Sequence, residues 1–304
     1  MNYIDITQQK IIDAVSHHYE GLIDDIFIRI DGITNPFVKV LFENYINPYL
    51  DVIIKGNPYE LLQCHNRIEP YMIPIVRKNL NEVFKYKGWF DQKKKTKYDA
   101  YDLAYNLDIP TCAYCNRIYT KTVINPSKIT RPTFDHWFSK SDYPLLALSF
   151  YNLIPSCTVC NSGVKGTTTF ELNTHFHPYH KSFIINENIN YKFSYDYKDY
   201  SSFKFKIINN NDFSENSTNA FKLKEIYETH EDEISDLRKL KDVYSDNYLQ
   251  MLKNNILKNT MISDDEIYRL AFGTDINESK FDRRPLSKMK KDILTELGIL
   301  KNEK

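Results

Sequence analysis

Apolar positions along the first third of this chain recur with the period of a helix. From Gln8 to Ile30 they fall every three to four residues. This spacing places one set on a single helix face: Ile12, Val15, Tyr19, Leu22, Ile26 and Ile30. The same period predicts further helices over residues 37–50, 70–86 and 98–105.

The last third begins with a period of two and then returns to the helical period. Aromatic and apolar residues alternate with polar ones in two runs: Tyr191, Phe193, Tyr195 and Tyr197, then Phe203, Phe205 and Ile207. These runs predict two strands, joined as a hairpin, within residues 183–208. Helices are predicted over residues 234–256, from the capping box Ser263–Glu266, and between Pro285 and Gly298.

Residues 106–180 follow neither period over a long stretch. They are rich in proline and contain four of the five cysteines. We therefore expect a predominantly helical α+β protein of three parts. These are a helical N-terminal region at 1–105, a compact module at 106–180, and a strand pair followed by a helical region at 181–304.

Composition and charge restrict the classes of function. Hydrophobic residues make up 42% of the 304 residues and the formal net charge is zero, which is typical of a folded soluble protein. A stand-alone nucleic-acid binder is usually basic, so nucleic-acid binding here would need a partner or local patches such as Lys93–Lys97 and 283–291. We find no membrane span and no signal peptide, so we expect a cytoplasmic protein without membrane contact.

Four cysteines form two C-x-x-C pairs, Cys112 with Cys115 and Cys157 with Cys160. Two residues between cysteines allow both sulfurs of a turn to reach one ion, so two such pairs predict a four-cysteine, structural Zn²⁺ site. Redox-active pairs are the alternative, and neither pair has a recognisable strand–turn–helix redox context. The remaining Cys64 is expected to be a small buried apolar residue.

A zinc ion with four thiolates does not explain the polar residues between and beside the pairs. Asp135-His136 and Asn152 lie between them, and Asn161 follows the second pair directly. In order and spacing, CAYC, FDHW, YNL and CTVCN resemble the HNH family of metal-dependent endonucleases, in its branch with four zinc cysteines. The resemblance covers roughly residues 110–166 and implies a ββα-metal module at the centre of the chain.

The resemblance implies roles by position. Asp135 matches a ligand of the catalytic ion, His136 the general base, Asn152 the residue that steadies the loop and the base, and Asn161 the second ligand of the ion. Lys165 matches the lysine that contacts phosphate, although it follows Asn161 by four residues where the family usually has three. Because adjacent strand residues face opposite sides, Asp135 and His136 can share a site only at a strand end or bulge.

These residue types suit phosphodiester hydrolysis. A neutral imidazole can accept a proton from water near neutral pH, and a hard ion such as Mg²⁺ or Mn²⁺ prefers a few oxygen ligands. Two further residues are weaker candidates for substrate contact, Arg117 after the first cysteine pair and His177 at the C-terminal end of the module. An exposed strand face is the alternative for Arg117, and a structural or solvated histidine is the alternative for His177.

We therefore expect an HNH endonuclease that acts on nucleic acid, with DNA as the first substrate to test. The sequence around FDHW and ALSFYNLIPSC resembles that of nucleases of bacterial anti-phage defence, which often work beside an ATPase or a retron. Two alternatives remain open. One is an RNA-cleaving toxin with the same residues, and the other is a non-catalytic, zinc-stapled scaffold, which would need none of Asp135, His136, Asn152 or Asn161.

Overall fold

A computed structural model describes residues 1–93, 97–166, 168–180, 190–197, 203–243 and 263–300. Helices predominate, and the described strands form two separate antiparallel pairs. The predicted fold class, a mostly helical α+β protein, is confirmed at this level.

The described residues of the N-terminal region form six α-helices: α1 (Gln9–Asp31), α2 (Pro36–Tyr45), α3 (Leu50–Lys55), α4 (Pro58–Ile68), α5 (Pro74–Val83) and α6 (Ala100–Leu107). The predicted helix over 37–50 is interrupted, because a 3-10 turn at Asn47–Tyr49 contains Pro48. Helix α4 was not predicted, although Asn57 and Glu60 form a capping box at its start.

The buried face of α1 differs from the predicted one in its first half. Leu22, Ile26 and Ile30 are buried as expected, but Ile12 is 46% exposed and Ile11 is buried in its place. Helix α1 buries His18 instead of Tyr19, because Nε2 of His18 lies 2.8 Å from the carbonyl oxygen of Leu148. A hydrogen bond to a residue 130 positions away cannot be read from helical periodicity.

Strands β1 (Thr133–His136) and β2 (Leu153–Ser156) form the sheet of the central module. They pair antiparallel, with Asp135 opposite Ile154 and His136 opposite Leu153. The connection between them, residues 137–152, packs against α3, α4 and α5. The hydroxyl of Ser149 donates to the carbonyl oxygen of Ile53 at 2.5 Å, so this connection is fixed to the N-terminal helices.

Strand β2 leads into the second cysteine pair and then into a wide, π-type helical turn at Val159–Lys165. The two strands and this turn follow one another as strands and helix would in a ββα module. The turn is short and is not a regular α-helix, so the described residues show the antiparallel pair without the α-helix of a ββα module.

The C-terminal part contains the predicted hairpin, β3 (Tyr191–Tyr197) and β4 (Phe203–Asn209), which pair antiparallel. The helices that follow are α7 (Asp212–Ala220), α8 (Leu223–Glu228), α9 (Glu231–Val243), α10 (Asp264–Phe272) and α11 (Ser287–Glu296). The capping box of Ser263 and Glu266 is confirmed, and Gly298 ends the last helix with φ of 75°. The predicted helical positions after Val243, up to Ile256, lie outside the described residues.

Helix α11 packs on β3, and α8 and α9 pack on β4. Buried residues from all three parts belong to one continuous core, so the proposed boundaries at 105 and 180 stay a prediction. Among the described residues, no helix has both the length and the apolar composition that crossing a membrane requires.

Candidate metal and catalytic site

Four cysteine sulfurs converge inside the central module. Cys112, Cys115, Cys157 and Cys160 are buried, and their Sγ atoms all lie within 4.8 Å of one another. All four are free thiols, and the Sγ atoms of Cys115 and Cys157 are 3.9 Å apart. Sulfurs at about 2.3 Å from a tetrahedral zinc ion are roughly 3.8 Å from one another. The cluster is therefore arranged to bind a metal ion, as predicted, and its dimensions fit structural zinc.

Backbone amides point at two of these sulfurs. The N–H of Arg117 donates to Sγ of Cys115 and the N–H of Cys160 donates to Sγ of Cys157, each at 3.4 Å. Burial raises the pKa of Cys112, whereas hydrogen bonds with neighbouring cysteines lower the pKa of Cys157. A divalent cation would remove this difference in pKa between the cysteines, because it would bind all four sulfurs as thiolates.

The loop of the first cysteine pair, residues 112–116, is called the metal loop here. It is held in place by the C-terminal part of the chain. Asn116 has a φ of 51°, and its Nδ2 donates to the carbonyl oxygen of Phe281 at 2.7 Å. The N–H of Leu286 donates to the carbonyl oxygen of Asn116 at 2.6 Å. The hydroxyl of Tyr227 donates to the carbonyl oxygen of Cys115 at 2.5 Å. The metal loop is thus a junction between the module and the C-terminal helices.

Asp135 and His136 leave β1 on different sides, as neighbouring strand residues do. The carboxylate is hydrogen-bonded by Tyr114 of the metal loop, and the imidazole lies against Tyr86 of the N-terminal region. His136 is the last residue of β1, so the pair lies at a strand end. The two side chains do not hydrogen-bond each other.

The carboxylate of Asp135 accepts two short hydrogen bonds on one oxygen. The hydroxyl of Tyr114 donates to Oδ2 at 2.6 Å and the ammonium of Lys165 donates to the same atom at 2.7 Å. Asp135 is 5% exposed and Lys165 is 4% exposed. Burial lowers the pKa of Lys165, and Asp135 partly offsets this effect. No described residue hydrogen-bonds Oδ1 of Asp135, which leaves that oxygen available to a ligand.

The imidazole of His136 is held as a neutral ring with a defined tautomer. Nε2 lies 3.0 Å from the carbonyl oxygen of Ala147. A carbonyl only accepts, so Nε2 carries the proton and Nδ1 carries the lone pair. Burial, together with the ammonium of Lys140, lowers the pKa of His136 to about 3. The ring is therefore neutral at pH 7, and a base with so low a pKa accepts a proton less readily than one whose pKa lies near the operating pH.

Asn152 is fully buried and braces the loop that orients His136. Its Oδ1 accepts from the N–H of Phe138 at 2.7 Å, and its Nδ2 donates to the carbonyl oxygen of Leu146 at 2.8 Å. Leu146 is followed directly by Ala147, whose carbonyl oxygen accepts the hydrogen bond from the His136 imidazole. This placement suits the loop-steadying role that we expected, and the role itself stays a prediction.

Asn161 lies beside β1, in the wide helical turn that follows the second cysteine pair. Its Nδ2 is 3.4 Å from the carbonyl oxygen of Phe134, the residue before Asp135. Its own N–H donates to the carbonyl oxygen of Cys157 at 3.0 Å. Among the described residues, none hydrogen-bonds Oδ1 of Asn161.

The three weaker candidates lie inside the protein or beside the metal loop. The ammonium of Lys165 is engaged by Asp135 and by the carbonyl oxygen of His136, so it does not face a substrate in this arrangement. His177 is 1% exposed and packs on Trp137, with ring centroids 4.7 Å apart. Arg117 is half-buried and contributes its backbone N–H to the cluster. Their placement gives no support to the expected contact with substrate.

The basic residues of 283–291 are paired with carboxylates. The pairs are Arg283–Asp108, Arg284–Asp275, Lys288–Asp292, Lys290–Glu233 and Lys291–Glu278. In the other run, Lys97 pairs with Asp25, and residues 94–96 lie outside the described part. These pairs reduce the positive potential that would attract a nucleic-acid backbone.

Two tyrosines at the site were not expected. Tyr114 lies between the first two cysteines, but its partner Asp135 is 21 residues away. Tyr86 covers His136 edge-on, with ring centroids 4.5 Å apart, from a part of the chain 50 residues upstream. Neither spacing follows a helical or strand period, so no local pattern indicates these contacts.

No protein-family model matches this chain, and no significant match was found among curated proteins or solved structures.

Proposed function

We propose that this protein is a metal-dependent endonuclease of the HNH type, with DNA as its first candidate substrate. The observation that carries the proposal is the state of His136. Its Nε2–H is tied to the carbonyl oxygen of Ala147, so Nδ1 keeps its lone pair. It follows directly on Asp135, a buried carboxylate held on one oxygen by two donors.

The proposal assigns two side-chain oxygens to a hard divalent ion. Oδ1 of Asp135 and Oδ1 of Asn161 both lack a hydrogen-bond partner among the described residues. One anionic and one neutral oxygen, with further positions for water and phosphate, are a donor set that Mg²⁺ or Mn²⁺ accepts. When bound, the ion would supply positive charge to the scissile phosphate and to the leaving oxygen.

The remaining chemistry falls to the side chains. Nδ1 of His136 takes a proton from a water molecule, and the water oxygen forms a bond to phosphorus. The bond between phosphorus and the 3′ oxygen breaks, and solvent protonates the leaving oxygen. The ammonium of Lys165 donates to Oδ2 of Asp135, and Asn152 holds the loop of Ala147. General-base catalysis of this kind contributes about 100- to 10,000-fold in rate.

The proposal requires access to the strand end. His136 is 8% exposed beneath Tyr86, and Asp135 is 5% exposed. A phosphodiester therefore reaches Nδ1 only when the side chains that cover His136, Tyr86 among them, move aside. The resemblance to anti-phage nucleases offers an ATPase or retron-type partner for this step, and that association stays a prediction.

The test is cleavage of supercoiled plasmid DNA and of a structured RNA by zinc-loaded protein, in Mg²⁺ or Mn²⁺. His136→Ala is compared with wild type, and His17→Ala provides a matched control because His17 is exposed on the same protein. We expect metal-dependent cleavage by wild type and His17→Ala and a loss of at least about 100-fold in His136→Ala. Equal activity in all three, or activity in chelator, would overturn the proposal. Cleavage of RNA alone would assign the toxin alternative.

The burial of the same residues favours a second candidate, a zinc-stapled scaffold. The metal loop joins the module to the C-terminal helices through Asn116 and Tyr227, and Asp135 with Lys165 forms a closed ion pair. A scaffold would lose its fold when the metal is removed and would show no Mg²⁺-dependent activity. The cleavage test above separates the two.

A further inference from the structure

Tyr114 links the structural metal loop to the carboxylate of the candidate active site. It lies between Cys112 and Cys115, is fully buried, and places its hydroxyl 2.6 Å from Oδ2 of Asp135. A C-x-x-C loop needs no tyrosine at this position to bind metal, because only the two sulfurs are ligands. The hydroxyl therefore serves something other than the cysteine cluster.

Two features fix the loop that carries Tyr114, and a third fixes its ring. The cysteines on either side belong to the metal cluster. The N–H of Ala113 donates to the carbonyl oxygen of Pro155 at 3.1 Å, which ties the loop to β2. The ring stacks on Phe221, with centroids 4.0 Å apart and planes at 24°. The position of the hydroxyl is thus set by the metal loop, by the sheet and by the C-terminal helices together.

We infer that Tyr114 is a positioning residue, which holds Oδ2 of Asp135 so that Oδ1 faces the catalytic ion. The inference rests on the proposed function, because it assumes that Asp135 is a ligand. A carboxylate can rotate about its last bond, and Lys165 supplies charge to Oδ2. The hydroxyl of Tyr114 lies on a ring that is held in place, so it fixes the orientation of the Asp135 carboxylate. Partners of this kind orient metal ligands, and their loss typically costs about 10- to 100-fold in metal affinity or activity.

Tyr114→Phe removes the hydroxyl and keeps the ring, the stacking on Phe221 and all four cysteines. Tyr227→Phe is the matched control, because Tyr227 is also fully buried and its hydroxyl bonds the same loop, at the carbonyl oxygen of Cys115, without touching Asp135. Asp135→Asn is the reference for a lost ligand. All variants are loaded with zinc, and zinc content and the thermal unfolding midpoint are recorded first.

The decisive readout is Mn²⁺ binding to the zinc-loaded proteins, followed by electron paramagnetic resonance of the free ion. We expect Asp135→Asn to abolish the Mn²⁺ site, and Tyr114→Phe to weaken it by about 10- to 100-fold with its zinc retained. Tyr227→Phe is expected to bind Mn²⁺ like wild type.

Each other outcome has a definite meaning. If wild type and Asp135→Asn bind Mn²⁺ equally, the ion site and the proposed function fail together. If Asp135→Asn loses the site while Tyr114→Phe matches wild type, the proposed function stands and the inference about Tyr114 fails. If Tyr114→Phe loses zinc, or weakens Mn²⁺ binding no more than Tyr227→Phe does, Tyr114 has only a structural role.

Discussion

The ammonium of Lys165 lies 2.7 Å from Oδ2 of Asp135, with both side chains almost completely buried. The two residues lie 30 positions apart and connect the end of the wide helical turn to β1. Removing one partner of such a pair leaves an uncompensated charge in the interior, which costs far more than the loss of an exposed pair.

Lys165→Met should therefore lower the free energy of unfolding by about 3 kcal/mol or more. Lys206→Met is the control, because Lys206 pairs with Asp196 on the surface at 3.3 Å, and exposed pairs contribute at most about 1 kcal/mol. Urea denaturation of the zinc-loaded proteins measures both. Equal effects of the two substitutions would show that the buried pair is not formed.

Each chain should bind one zinc ion through its four clustered cysteines. Cys157→Ser should lose zinc and destabilise the module, because three thiolates no longer close the coordination sphere. Cys64→Ser is the matched control, since Cys64 is buried in α4 outside the cluster. Elemental analysis of purified proteins decides. Retention of one zinc ion by Cys157→Ser, or loss from Cys64→Ser, would contradict the assignment.

Stability should fall on acidification because His18 is buried in its neutral form. Burial lowers the pKa of His18 to about 4, whereas an unfolded histidine has a pKa near 6.5. The unfolded state therefore binds more protons between these values, and stability is lost as pH falls below 6.5 towards 4. This amounts to about 2 kcal/mol between pH 7 and pH 5.

His18→Gln should lose less stability than wild type over that interval, since glutamine does not titrate. His17→Gln, at the exposed neighbouring position, should lose as much as wild type. Urea denaturation at the two pH values gives the comparison, and the zinc site contributes equally to all three proteins. A loss of stability in His18→Gln as large as that of wild type would assign the effect elsewhere.

Tyr86 should control the reactivity of His136. Tyr86→Ala removes the ring that lies edge-on over the imidazole, so diethyl pyrocarbonate should modify His136 several-fold faster. Tyr105→Ala is the control, because Tyr105 is a 56% exposed tyrosine of α6. Mass spectrometry of the modified peptide gives the rate. An unchanged rate in Tyr86→Ala would mean that another group closes the site.

The sequence predicted the parts of the protein that follow local rules. The two C-x-x-C pairs predicted a metal cluster, and Ser263 with Glu266 predicted the start of α10. The alternation of Tyr191 to Ile207 predicted the β3–β4 hairpin. In each case the residues that interact are close in the chain, or share a chemistry as specific as that of a thiolate.

The features that local patterns do not predict depend on long-range contacts. The buried face of α1 includes His18, whose partner Leu148 lies 130 residues away, and no local period indicates that contact. The partner of Lys165 is a carboxylate on another element, and no period relates the two. The α4 helix is different, because its capping box at Asn57 and Glu60 was visible in the sequence and was missed.

The central claim, that Nδ1 of His136 is the general base, is tested most directly by chemical rescue. Zinc-loaded His136→Ala is assayed on supercoiled plasmid in Mn²⁺, with and without added imidazole. We predict a loss of at least about 100-fold, and partial recovery as imidazole fills the cavity beside the carbonyl oxygen of Ala147. His136→Ala that cleaves as fast as wild type without imidazole would contradict the account.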